Sequence, residues 1–221
     1  MLYAFLMLLL IALSTIPGMW VRWTISKHNK PKDKIQFTGE EFANSLLIKF
    51  HLNNVVVESA PPNQDHYDPT GKAVRLSPER MNTNSLAAIA IAAHEVGHAL
   101  QDATQYPKYV ASLKIRIAAQ QFQRVGSWIL LFSPVVALIS KNPIIGLITA
   151  ATGIISYLFS SAISLYNLPV EFDASFQRAL PILKDCQYLD EQDLKSARKI
   201  LRAAAMTYVA GSILSFLPMR R

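Results

Sequence analysis

Residues His94-Glu95-Val96-Gly97-His98 set two imidazoles four positions apart with a carboxylate between them. On an α-helix that spacing puts both rings on one face, aimed at one point in space. A zinc ion there takes one nitrogen from each ring, with Glu95 beside it as a base for an attacking water. The pattern points to metal-assisted hydrolysis of peptide bonds, with one zinc per chain. The surroundings suit a helix. Ser85 to Thr104 is rich in alanine and free of proline, and Ala93, Val96, Gly97, Ala99 and Leu100 are uncharged.

A catalytic zinc takes three protein ligands and keeps one position open for water. Gln101 and Thr104 stand where the extended motif H-E-x-x-H-x-x-G-x-x-H needs Gly and His, so that solution is excluded. A glutamate from a later helix is the other common solution, and Glu171 is the best candidate. Pro169 can open a helix with Glu171 in its first turns. Asp173 competes, either as a ligand or as a partner that orients a histidine. Asp102, four residues past His98 on the same face, is read either as such a partner or as a solvated helix end. His66 is a candidate further ligand or transition-state donor, and Tyr208 a conceivable oxyanion donor. Tyrosines in apolar helices commonly mark interfaces, which weighs against the latter.

The elements that must position these groups are partly legible. Thr38-Gly39-Glu40-Glu41 is a capping box and predicts a helix to about Leu52, with Phe42, Leu46 and Phe50 on one face. Val55 to Val57 reads as a buried strand ended by Pro61-Pro62. Asp68-Pro69-Thr70-Gly71 is a turn signal, and Lys72 to Ser77 alternates as a second strand, a candidate edge for pairing an extended substrate. Asn84 or Ser85 caps the motif helix, and Tyr106-Pro107 stops it.

Apolar residues make up 51% of the 221 and are concentrated in runs. Leu2 to Val21 is nearly unbroken, about the 20 residues that cross a bilayer. It lacks a basic leader or a clean cleavage site, so it reads as an anchor. Val125 to Leu168 is broken at Lys141-Asn142-Pro143, a turn, and reads as a hairpin of two spans. Ala203 to Leu217 is shorter and reads as a fourth span, a re-entrant piece or a helix packed on the catalytic part, the last being preferred. The net charge of +7 has its densest cluster, Arg22, Lys27, Lys30, Lys32 and Lys34, just after the first run. The positive-inside rule then places the catalytic part on the cytoplasmic side. A nucleic-acid partner is not indicated, because these cations lie on no recognition element. The single Cys186 has no intramolecular partner and suits a reducing compartment.

His94-Glu95-Val96-Gly97-His98, the downstream Val170-Glu171-Phe172-Asp173-Ala174 and the upstream Asp65-His66-Tyr67-Asp68-Pro69 together resemble the bacterial YugP-type membrane zinc metallopeptidases, also called neutral zinc metallopeptidases. The resemblance runs nearly end to end. It implies an α+β zincin-like catalytic fold, a zinc cofactor and peptide-bond hydrolysis at a membrane. Related membrane enzymes carry Glu-x-x-x-Asp after the metal helix, whereas here Ser175 takes the place of the Asp. The expected architecture is a mostly α-helical, zincin-like α+β domain combined with transmembrane helices. Its parts are an anchor over 1–21, a cytoplasmic zincin-like part over 22–124, a transmembrane hairpin over 125–166, and a third-ligand helix with a carboxyl-terminal helix over 167–221. Peptides or membrane proteins are the expected substrates and the lipid bilayer the expected surroundings. The rival expectation is a zinc-bearing scaffold without activity, against which the base Glu95 argues.

Overall fold

In the computed structural model, residues 16–186 and 189–206 are described. They fall into two units, one of residues 16–110 with 169–206 and one of residues 111–168.

The first unit opens with helix α1, residues 16–27. The capping box then forms as its residues require: Thr38 accepts from the Glu41 amide, and Glu41 Oε2 accepts from the Thr38 amide at 2.8 Å. It starts α2, Gly39–Lys49, which buries Phe42, Ala43, Leu46 and Leu47. Three short strands follow, β1 (Val56–Ser59), β2 (His66–Asp68) and β3 (Ala73–Leu76). After α3 (Pro78–Met81), Ser85 accepts from the Ala88 amide and caps α4, Leu86–Ala103. Every residue from Leu86 to Ala99 is buried. A helix apolar on all sides belongs in a core, and α4 is the axis on which this unit is built. Its neighbours are α2, the sheet, and α9 (Glu191–Ala205), capped by Asp190. They also include a segment in which α7 (Leu168–Phe172) runs into a π-helix (Asp173–Ala179) and then α8 (Leu180–Lys184).

The sheet order is β1-β3-β2, with β1 parallel and β2 antiparallel to β3. This corrects two expectations. The strand after the turn, β3, is central and already paired on both sides, so it has no free edge for a substrate. The Val55 to Val57 run is not a buried strand: β1 begins at Val56, which is half exposed, because it lies at the sheet edge. The turn itself forms, with the Thr70 amide on Asp68 Oδ1 at 2.8 Å.

The second unit carries most of α5 (Pro107–Ser140, 34 residues) and α6 (Pro143–Tyr166, 24 residues). The hairpin expected from Asn142-Pro143 is present. Asn142 Oδ1 accepts the Ile144 amide at 2.9 Å, and Gly146 lies so close to Ala137 that no Cβ would fit between the limbs. Pro134 is accommodated inside α5.

The combination with transmembrane helices is overturned. Among the described residues no helix is long and apolar enough to cross a membrane. In α5, Lys108, Lys114, Arg116 and Arg124 occupy the first half and leave a short apolar remainder. The fold class is corrected to a mostly helical protein with one small three-stranded sheet. The reading of 125–166 as a pair of membrane spans falls with it. The anchor expected over 1–21 lies outside the described residues up to position 15, as do Tyr208 and most of 203–217.

Candidate metal centre

His94 and His98 project from one face of α4 with their ring centroids 4.7 Å apart. Glu171 comes from the end of α7 and inserts between them. Its Oε2 lies 3.4 Å from His94 Nε2 and 3.2 Å from His98 Nε2. One ligand atom from each of the three residues falls within 4.8 Å of the others, and all three residues are buried. Chain folding inside one unit brings Glu171 here, and Gly97 makes the approach possible. A Cβ at Gly97 would stand 2.9 Å from the Ala174 carbonyl oxygen, so any larger residue would hold the π-helix off α4.

The outer nitrogens of the two rings settle which nitrogen remains for a metal. Ser175 Oγ donates to the Leu201 carbonyl at 3.1 Å and therefore accepts from His94 Nδ1–H at 3.0 Å. Gln101 donates its amide to the Val170 carbonyl at 2.9 Å and to Asp173 Oδ2 at 2.8 Å. Its oxygen accepts from His98 Nδ1–H at 2.9 Å. Both Nε2 atoms are thereby turned toward Glu171, as a metal ligand requires. The donor set of two imidazoles and one carboxylate, with tautomers fixed from behind, fits a tetrahedral zinc with one position open.

Electrostatics agree. Burial pushes the Glu171 carboxyl up, but the His98 charge and the hydrogen bonds of both histidines outweigh it and hold it low. Burial pulls His98 down, and the Glu171 charge and hydrogen bond outweigh that and raise it. Glu95, buried on the same helix, is pushed up by burial, with His94 and His98 pulling the other way. A raised carboxyl in such surroundings is a candidate proton acceptor.

The remaining candidates separate. Asp173 accepts from Gln101 and from Arg178 Nε at 2.9 Å, and so acts on His98 through Gln101. Asp102 is buried, and its side-chain hydrogen bonds run to the sheet. Its Oδ2 accepts from Tyr67 Oη and Lys72 Nζ, each at 2.6 Å, bracing the sheet against α4. His66 is in β2 and exposed, its Nδ1 on the Gln64 carbonyl at 2.8 Å. Its neighbours act as struts: Asp65 holds Ser77 and Arg80, and Asp68 holds Arg75. Sequence reasoning passed over Gln101 and Ser175. The available signals were periodicity, since Gln101 lies three residues after His98 and Ser175 four after Glu171, and for Ser175 also its place in the Glu-x-x-x-Asp pattern.

The family described as "Putative neutral zinc metallopeptidase" matches the chain over residues 3–221. The "Putative membrane protease YugP" of Bacillus subtilis (strain 168) is 37% identical over 224 residues, covering 100% of this chain and 95% of that protein. No solved structure matches.

Proposed function

Because this chain belongs to the neutral zinc metallopeptidase family, we propose that it is a working endopeptidase with one zinc held by His94, His98 and Glu171. The observation that carries this is the convergence of both Nε2 atoms on Glu171 Oε2 with both Nδ1 atoms engaged. A zinc bound there supplies a Lewis acid that acidifies a water and polarises a carbonyl. Glu95 takes a proton from the attacking water and returns it to the leaving amine, so the cleaved bond ends as a carboxylate and an amine. Gln101 and Ser175 keep the two rings in place through the cycle, and burial keeps competing water away from Glu95.

The relative carries "membrane" in its name, and we take membrane association for this chain too. Large apolar side chains exposed on α5 and α6, among them Leu131, Phe132, Leu138, Ile144 and Leu147, favour it. Peptides or proteins presented at that surface are the substrate class.

Glu95→Gln tests the catalytic role. It keeps shape and removes the base, so zinc should stay bound while proteolysis of a membrane-associated substrate falls by at least about a hundredfold. Wild-type activity in that variant would remove Glu95 as the base, and zinc bound without proteolysis in the parent protein would leave a zinc-bearing scaffold as the better reading.

A further inference from the structure

Helix α1 has two unlike faces. Gly18, Val21, Thr24 and Ile25 are buried, whereas Ile16, Met19, Trp20, Trp23 and Lys27 line the outward side at helical spacing. Met19 is 63% and Trp23 61% exposed. Toward the carboxyl end, Arg22, Trp23, Ser26, Lys27 and Lys30 line an open concavity, with the Lys27 ammonium 5.0 Å above the Trp23 ring.

The basic cluster of the sequence is therefore two groups. Lys32 and Lys34 are already paired: Lys32 reaches Asp193 at 2.6 Å, and Lys34 reaches Asp190 at 2.7 Å and Asp193. Arg22, Lys27 and Lys30 have no acidic partner among the described residues. Their charge faces outward beside two exposed indoles.

We propose that the outward face of α1 docks on an anionic phospholipid surface, with Arg22, Lys27 and Lys30 on lipid phosphates and Trp20 and Trp23 at headgroup level. This rests on the membrane association proposed above and names its surface and lipid class. Polarity is graded along the helix axis, from Ile16 and Met19 through the indoles to the cations. A bilayer interface has the same gradient, and tryptophan and basic side chains concentrate there. A protein partner would instead favour an apolar centre with a polar rim and few lysines. Each basic side chain held near an anionic surface strengthens binding by about fivefold.

The chain holds three tryptophans, so full-length protein carrying Trp128→Phe reports only Trp20 and Trp23. Reconstituted in phosphatidylcholine vesicles with a share of phosphatidylglycerol, it should be quenched more by brominated phosphatidylglycerol than by brominated phosphatidylcholine. That preference should shrink at high salt. Adding Lys27→Gln and Lys30→Gln should reduce it by about fivefold per lysine, with the protein still recovered on vesicles. Equal quenching by both lipids, unmoved by the lysine changes, would overturn the docking surface and leave membrane association standing. Absent quenching with vesicle recovery would overturn it too and give the face to a protein partner. Recovery on no vesicle would remove the membrane reading itself.

Discussion

At His94 and His98 the nitrogen left for a metal is decided by what the other nitrogen does. Ser175 and Gln101 are uncharged acceptors, each anchored by donating to a backbone carbonyl, Leu201 or Val170. Ser175→Ala should therefore release the His94 ring and weaken zinc binding by about 10–100-fold. Ser175→Thr, which restores the hydroxyl, should recover most of it, and a competitive chelator titration reads both. A second expectation concerns pH. His98 is raised above its ordinary value of 6.5 by Glu171, against burial. Its proton occupies Nε2 until the pH exceeds that raised value, and zinc must displace it. Zinc affinity should thus keep climbing above pH 7, by about tenfold per unit, and flatten only at higher pH. A flat affinity from pH 6.5 upward would show that His98 is not held charged. Of this scale the sequence made the shared face of His94 and His98 legible, because four-residue spacing on a helix is a direct geometric statement, and Glu171, named from the number of ligands zinc takes, does lie with them. Gln101 and Ser175 were not legible, since a polar residue inside a helix does not announce its partner. Asp102 misled because its helical face is shared with His98, while its actual partners, Tyr67 and Lys72, arrive from the sheet.

Two elements form the centre, and their separation is set by one glycine. The π-helix Asp173–Ala179 presses its Ala174 carbonyl against Gly97 on α4. The wider π turn also lets Arg178 reach Asp173, five positions back, which steadies Gln101. Such turns recur at functional sites because they re-aim side chains without ending a helix. Gly97→Val should push the two elements apart, cost about 1–3 kcal/mol of stability, and reduce zinc binding well beyond what that loss explains. Denaturation of metal-free and zinc-loaded protein separates the two effects. An unchanged zinc affinity would mean the close approach is dispensable. The capping box, the Ser85 cap and the hairpin turn were readable because their signals are local. The order β1-β3-β2 was not, because it depends on pairing between distant segments. The 125–168 run was read as two spans because its limbs are adjacent, uncharged and joined by a turn, whereas among the described residues no helix is long and apolar enough to cross a membrane.

For the whole molecule, the centre ties α4 to the segment that follows the second unit, so metal and stability should be linked. Zinc present at about a thousandfold over its dissociation constant adds about 4 kcal/mol to a fold that binds it only when native. Chelation should accordingly lower the thermal midpoint of the wild type, and leave that of a Glu171→Gln variant nearly unmoved. The most direct measurement is the zinc content of purified full-length protein beside His94→Ala and Glu171→Gln, with folding checked by circular dichroism. About one zinc per chain in the wild type is expected from a single three-ligand site, with little in either variant. Full zinc retention in both folded variants would place the metal elsewhere and contradict the centre described here.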